Sequence, residues 1–226
     1  MKKLILLIAL ALPALLTAQQ RDWANYGRYA EANAQLTTPP AVVFMGNSIT
    51  DGWDNAHPEF FTANNFACRG IGGQVTAQML CRFRAAVINL HPQAVVILAG
   101  TTDLAQNDAP IARQHLLENS TSMAELAMAA GIRPIICSVL PAGKYPWRTE
   151  IESVPEKIRD LNARLHRYAS DRGLIWVDYY TAMDAGDGSM RSEYTKDGVH
   201  PTPEGYDVME RIVLPALAHY CPAAAK

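Results

Sequence analysis

An apolar run that stops at glycine and then delivers polar residues occurs twice in this chain, as V-V-F-M-G-N-S from Val42 to Ser48 and as A-V-V-I-L-A-G-T-T-D from Ala94 to Asp103. Runs this short, continuous rather than alternating and bounded by turn residues, fit interior strands of a parallel sheet covered on both faces. Polar residues that follow such a strand lie at its carboxyl end, where open α/β sheets hold their ligands. Ser48 is therefore a candidate nucleophile. As a hydroxyl residue ahead of a helical turn it is equally a candidate N-cap.

The remaining sequence alternates in the same way. Strands are expected at about Ala41 to Met45, Phe66 to Cys68, Ala94 to Ala99, Pro134 to Val139 and Leu174 to Val177. Between them, Val75, Met79, Phe83 and Val87 mark a helix that His91-Pro92 ends, and a second runs from about Ile111 to Ala130 and closes at Gly131. Ser153 and Glu156 form a capping-box sequence ahead of a helix with Ile158, Leu161, Leu165 and Tyr168 on one face. Thr202 is placed to cap a last helix from Pro203 to about Tyr220. Near the start, Trp23, Tyr26 and Tyr29 stand at near-helical spacing before Pro39-Pro40 and predict a short packed helix. Strands alternating with helices give an α/β fold, a three-layer α/β/α sandwich around a parallel sheet.

Residues 1–18 begin M-K-K and continue into an apolar run from Leu4 to Leu16, followed by small residues at Thr17 and Ala18. This is the pattern of a secretory signal peptide, too short for a membrane-spanning helix of about 20 apolar residues. The expectation is an exported protein, periplasmic or extracellular, with residues 19–226 as one domain and no stable membrane insertion after cleavage. The 22 acidic residues outnumber the 20 basic ones, two of which lie in the leader, and no basic block occurs, so nucleic acid is not an expected partner. Cys68, Cys81, Cys137 and Cys221 show neither C-x-x-C nor Cys/His spacing, so neither zinc nor a disulfide is predicted, and no cofactor is. Asp184 and Asp187 lie in a glycine-rich loop without the spacing of a calcium loop.

Acyl transfer by a nucleophile needs a hydroxyl, a base, a group that orients the base, and donors for the developing oxyanion. Ser48 supplies the first, His200 the second and Asp197, three residues before it across Gly198, the third. Asp103 is placed to brace a loop rather than to orient the base. His57, His91, His115, His166 and His219 have no Ser/Asp partners in sequence and are expected at the surface or in packing. Trp53, Tyr145, Trp147 and Arg148 are candidates for lining a substrate pocket, with burial as the alternative for the tryptophans.

Four separated blocks resemble those of the SGNH or GDSL-type hydrolases, in particular the bacterial acylhydrolases and carbohydrate O-acetylesterases. G-N-S-I-T-D-G-W at Gly46 to Trp53 is similar to the first block, with Asn47 where Asp is more frequent. R-G-I-G-G-Q at Arg69 to Gln74 resembles the second, G-T-T-D at Gly100 to Asp103 the third and D-G-V-H at Asp197 to His200 the fifth. The resemblance implies a five-stranded parallel sheet in the flavodoxin-like order 2-1-3-4-5, with Ser48 as nucleophile, His200 as base and Asp197 as its orienting carboxylate. It implies an oxyanion hole formed by the backbone N–H groups of Ser48 and Gly73, with Gly72 as the alternative. Thr102 stands where the family presents an Asn, and as the third donor it offers only a short hydroxyl that must rotate. Loss of one such donor costs about 100- to 1,000-fold in turnover.

The resulting expectation is a secreted serine esterase that removes a short acyl group, acetyl first, from a small-molecule or glycan ester through an acyl-Ser48 intermediate. Two alternatives stay open: a lipolytic acylhydrolase acting on lysophospholipid, and a degenerate hydrolase that binds an acylated glycan without turnover.

Overall fold

The computed structural model describes residues 22–220, so the expected signal peptide and Cys221 lie outside the described residues. Five strands form one sheet: β1 (Val42–Gly46), β2 (Phe66–Gly70), β3 (Ala94–Leu98), β4 (Arg133–Cys137) and β5 (Ile175–Val177). All neighbouring pairs are parallel and the order is β2-β1-β3-β4-β5, as expected. The helices are α1 (Ala30–Ala34), α2 (Ser48–Ala56), α3 (Pro58–Ala63), α4 (Thr76–Ala86) and α5 (Thr101–Leu104), followed by α6 (Arg113–Ala129), α7 (Val154–Asp171), α8 (Tyr179–Met183) and α9 (Pro203–Leu217).

Strand side chains alternate between two faces, and both faces are apolar, which is why the runs read as continuous rather than alternating. Val43, Met45, Val95, Ile97 and Ile136 pack with Met79 and Phe83 of α4, Leu116 and Met123 of α6, and Ile158 and Leu161 of α7. Val42, Phe44, Val96, Leu98 and Ile135 face the opposite layer, against Trp53 of α2, Phe60 and Phe61 of α3, and Met209 and Val213 of α9. Phe44 anchors that second layer, with the rings of Trp53, Phe60, Phe61 and Phe66 all within 5.8 Å of its own. Burial of one such side chain contributes about 1.5–3 kcal/mol, so a single ring surrounded by four others fixes how α2 and α3 sit on the sheet.

Glycine ends β1 and β2 because α2 packs directly over them. Gly46 pairs in register with Gly70. A Cβ on Gly46 would lie 2.0 Å from Thr50 Oγ1, and one on Gly70 would lie 2.2 Å from the Asp51 backbone nitrogen. The first turn of α2 thus rests on two bare backbone positions, and that contact sets where Ser48 stands.

Two local expectations differ from the structure. Ser153 adopts a left-handed conformation (φ 53°) and makes no side-chain cap, so the capping box does not form; Glu156 instead accepts from Arg159 at 2.8 Å. The aromatic stripe at Trp23 to Tyr29 does lead into the expected short helix, a 3-10 turn (Tyr26–Tyr29) continued by α1, but its packing differs, since Trp23 and Tyr26 stay 40% and 50% exposed. Hydrogen bonds rather than apolar packing hold this segment: Tyr26 donates to the Cys81 carbonyl at 2.7 Å, Tyr29 donates to the Gly70 carbonyl, and the Gln74 and Gln78 amides donate to the Ala24 and Trp23 carbonyls at 2.8 Å. Among the described residues no helix is long and apolar enough to cross a membrane.

Candidate active site

Ser48 is the first residue of α2, and the cap ahead of it is Asn47, whose side-chain oxygen accepts from the Ile49 N–H at 3.1 Å. With the cap supplied by its neighbour, the Ser48 hydroxyl is free to turn outward, and it lies 3.0 Å from His200 Nε2. Its place at a helix N-terminus favours negative charge developing on Oγ.

His200 sits in the loop ahead of α9, where Thr202 caps the helix by accepting from the Gly205 N–H at 3.2 Å. Asp197 Oδ2 stands 2.7 Å from His200 Nδ1, while its other oxygen accepts the N–H groups of Val199 and His200 at 2.9 and 2.8 Å. Thr195 Oγ1 donates to the His200 carbonyl at 3.0 Å and accepts from the Gly198 N–H at 2.9 Å. A carboxylate on Nδ1 places the ring proton there and leaves Nε2 as the acceptor that faces the serine. Partial burial pushes the Asp197 carboxyl up, but the hydrogen bonds from His200 and Val199 outweigh it and hold the group below the ordinary carboxylate range. Ser48 and His200, 152 positions apart in sequence, are thus brought with Asp197 into one hydrogen-bonded line.

The turn after β2 passes beside Ser48. A Cβ on Gly72 would lie 4.0 Å from the Ser48 Cβ, and the Gly72 N–H is already occupied, donating to Asp51 Oδ2 at 3.3 Å. Gly73 has φ +77°, a conformation that favours glycine, and its N–H meets no acceptor among the described residues. Of the two alternatives left by the sequence, Gly73 is the one with a free donor. Thr102 does not share that position: it is buried, and its hydroxyl donates to the Gln74 carbonyl at 2.5 Å. A hydroxyl carries a single proton, so Thr102 braces the turn from beneath, which corrects its expected use as an oxyanion donor.

Two buried charged residues hold the same turn. Arg82 donates to Gln74 Oε1 at 2.6 Å, to the Arg69 carbonyl at 2.9 Å and to the Gly46 carbonyl at 3.3 Å, and thereby joins the ends of β1 and β2 to the turn. Burial pulls its pKa down to about 10. Sequence reading passed over Arg82; its signal was a cation beside Phe83 on the apolar face of α4. Asp103 accepts the Thr76 N–H at 3.0 Å and the Thr76 hydroxyl at 2.6 Å, tying α5 to the start of α4.

Burial pushes the Asp103 carboxyl up from 3.8 to about 6, against the lowering effect of the Thr76 hydrogen bonds. A raised carboxylate pKa means that the folded state holds the proton more tightly than the unfolded chain. Its contribution to stability is fully present below about pH 4 and is lost as pH rises through about 6, amounting to about 2–3 kcal/mol. Asp103→Asn is expected to lower Tm overall, because its amide turns a donor toward Thr76, and to flatten the dependence of Tm on pH between 4 and 6.5. Parallel curves for the two proteins contradict the assignment.

Of the four residues expected to line a pocket, the structure brings one close to His200. Trp147 is 40% exposed, its ring centroid lies 5.7 Å from that of His200, and its indole N–H donates to Asn107 Oδ1 at 2.8 Å. Trp53 is 1% exposed, stacked between Phe60 and Tyr206 at 5.1 and 5.7 Å, and is a core residue. Tyr145 is also fully buried, behind Trp147. Arg148 is bonded to Glu150 and to the Gln106 carbonyl, both at 2.6 Å, and fastens two loops together. His57 is likewise structural: it stands 2.7 Å from Glu210 Oε1, which also accepts from Trp53 Nε1 at 3.0 Å and so braces α2 against α9. Asp207 completes a trio with these two whose ligand atoms lie within 4.8 Å, but the shared Glu210 oxygen is already engaged by Trp53 and His57.

Comparison with known proteins gives a consistent relationship. Residues 44–208 match the sequence profile of the GDSL-like Lipase/Acylhydrolase family. The chain is 49% identical to a GDSL-like lipase of Bacteroides thetaiotaomicron VPI-5482, whose crystal structure superposes with a TM-score of 0.84 over 87% of this chain and 98% of that one. It is 48% identical to a candidate acylhydrolase of Bacteroides fragilis NCTC 9343, with a TM-score of 0.86 over 88% of this chain and 99% of that one. Among curated proteins, the uncharacterized lipoprotein YqeF of Bacillus subtilis (strain 168) is 32% identical over 75 residues, a stretch that spans 32% of this chain and 31% of that protein.

Proposed function

The chain belongs to the GDSL-like Lipase/Acylhydrolase family, and from that premise we propose that it is a serine esterase that cleaves short acyl esters, acetyl first, from carbohydrates. The observation that carries the reading is the line from Ser48 Oγ to His200 Nε2 at 3.0 Å and from His200 Nδ1 to Asp197 Oδ2 at 2.7 Å. His200 takes the Ser48 proton as Oγ attacks the ester carbonyl, then gives it to the departing sugar oxygen, which leaves as a hydroxyl; Asp197 stabilises the imidazolium in between. The Ser48 and Gly73 N–H groups receive the oxyanion, and water, activated by the same histidine, releases the acid from the acyl-serine. Two backbone donors replace the usual three, since Thr102 is committed to Gln74.

Support for a sugar rather than a lipid comes from the exposed Trp147 ring beside His200, since a flat apolar face with a polar edge suits a pyranose. Export fits such a substrate, and the leader-like residues 1–18 and the likeness to a lipoprotein both support it. The test is hydrolysis of p-nitrophenyl acetate, butyrate and octanoate. We expect kcat/KM to fall along that series; a clear preference for octanoate favours the lipolytic reading instead.

A further inference from the structure

A cavity of about 280 Å³ opens beside Gly72 and Gly73, and its outer walls are Trp23, Asn25 and Asp108. One of its lining residues, Gly72, is also a neighbour of the proposed nucleophile: a Cβ on Gly72 would lie 4.0 Å from the Ser48 Cβ. We propose that this cavity is the subsite for the sugar that carries the ester, with Trp23 as its stacking platform and Asn25 and Asp108 as its hydroxyl ligands. This rests on the esterase reading of Ser48 and goes beyond it by naming where the alcohol part of the substrate binds.

The segment that carries the platform is fixed in advance. The Trp23 and Ala24 carbonyls are held by Gln78 and Gln74 at 2.8 Å, so the wall is tied to α4 and to the turn that presents Gly73. Asp22 has one oxygen each on the Tyr26 and Gly27 N–H groups at 2.9 Å and shapes the turn beneath. The Trp23 ring is 40% exposed, a position that apolar packing alone does not favour. Among the described residues, neither the Asn25 amide nor the Asp108 carboxylate makes a hydrogen bond, which leaves both open to a ligand. Asp108 also follows Asn107, whose side-chain oxygen accepts from the Trp147 indole, so the loop that carries Asp108 is tied to the ring beside His200.

The chemistry of the wall selects among ligands. Sugar hydroxyls donate to a carboxylate and exchange bonds with an amide, while the C–H face of the ring lies on an indole. A phosphate is repelled by Asp22 and Asp108. A quaternary ammonium is favoured by a cage of several rings, and among the described residues Trp23 is the one aromatic residue in this wall.

The experiment compares the full chain with Trp23→Ala, Trp23→Phe and Asp108→Ala on three acetyl esters: partly acetylated xylo-oligosaccharides, p-nitrophenyl acetate and acetylcholine. Trp23→Ala is expected to lower kcat/KM on the oligosaccharides about tenfold relative to p-nitrophenyl acetate, mainly through KM, the loss of about 1.4 kcal/mol of binding. Trp23→Phe should recover most of it, and Asp108→Ala should show a smaller loss of the same kind. Equal effects on both esters overturn the proposal, as does wild-type protein that cleaves p-nitrophenyl acetate but releases no acetate from the oligosaccharides. Trp23-dependent turnover of acetylcholine assigns the cavity to a cation and overturns it too. Failure of the wild type on all three esters overturns the esterase reading itself and this subsite with it.

Discussion

Ser48→Ala is expected to reduce kcat on p-nitrophenyl acetate by about 10⁴- to 10⁶-fold while leaving Tm within a few degrees of the wild type. The size follows from the role: among the described residues no other hydroxyl is hydrogen-bonded to His200 Nε2, and the donors that remain can only assist attack by water. The unchanged stability follows from Asn47. If Ser48 capped α2, its removal would cost about 1 kcal/mol, but the Ile49 N–H is bonded to the Asn47 side chain and alanine is well suited to a first helical position. Activity and stability thus separate the two meanings of this serine: Asn47→Ala should destabilise, and Ser48→Ala should silence. Because Ser48 and His200 act as a unit, Ser48→Ala combined with His200→Ala should be no worse than Ser48→Ala alone. Kinetics and thermal melts on the four proteins check this, and a Ser48→Ala variant that retains a tenth of wild-type turnover would refute it.

Gly70→Ala carries the largest expected effect on stability, a loss of about 3 kcal/mol or more. The new Cβ would lie 2.2 Å from the Asp51 nitrogen and 2.7 Å from the Thr50 carbonyl carbon. Both are backbone atoms of the first turn of α2, so no rotamer change relieves the contact. Relief requires α2 to lift from the sheet, and α2 carries Ser48 at its tip, so turnover should fall with stability. The neighbouring change Gly72→Ala is the control, since its Cβ would first meet Asp51 Oδ2 at 3.6 Å, ordinary contact. Urea unfolding of the three proteins decides it. A Gly70→Ala protein as stable as the wild type would mean that α2 does not rest on these glycines.

These two variants also mark what was legible in the sequence. The sheet was, because an interior parallel strand has an apolar composition that stops abruptly: Val42–Gly46 and Ala94–Leu98 fall within a residue of the runs that announced them. So were the residues that meet around Ser48, because each follows a strand or precedes a helix, positions that turn chemistry signals locally. Side-chain direction was not. Trp53 lies five residues after Ser48, about 140° around the helix from it, and so faces the core rather than the site; that argument needs α2 to be known as a helix starting at Ser48. Tyr145 lies in a loop with no periodicity to orient it. Thr102 and Asp103 meet Gln74 and Thr76 across 28 and 27 residues, and nothing local announces such contacts. Ser153 shows the converse limit: S-V-P-E has the composition of a capping box, yet Ser153 takes a left-handed backbone conformation and its side chain makes no cap bond to the helix.

The most direct test of the account is covalent. Incubation with diethyl p-nitrophenyl phosphate, followed by digestion and mass spectrometry, should place one diethylphosphoryl group on Ser48, in step with the loss of esterase activity, and none on the Ser48→Ala protein. Inactivation with the label on another residue, or full labelling of Ser48 with activity intact, would contradict it.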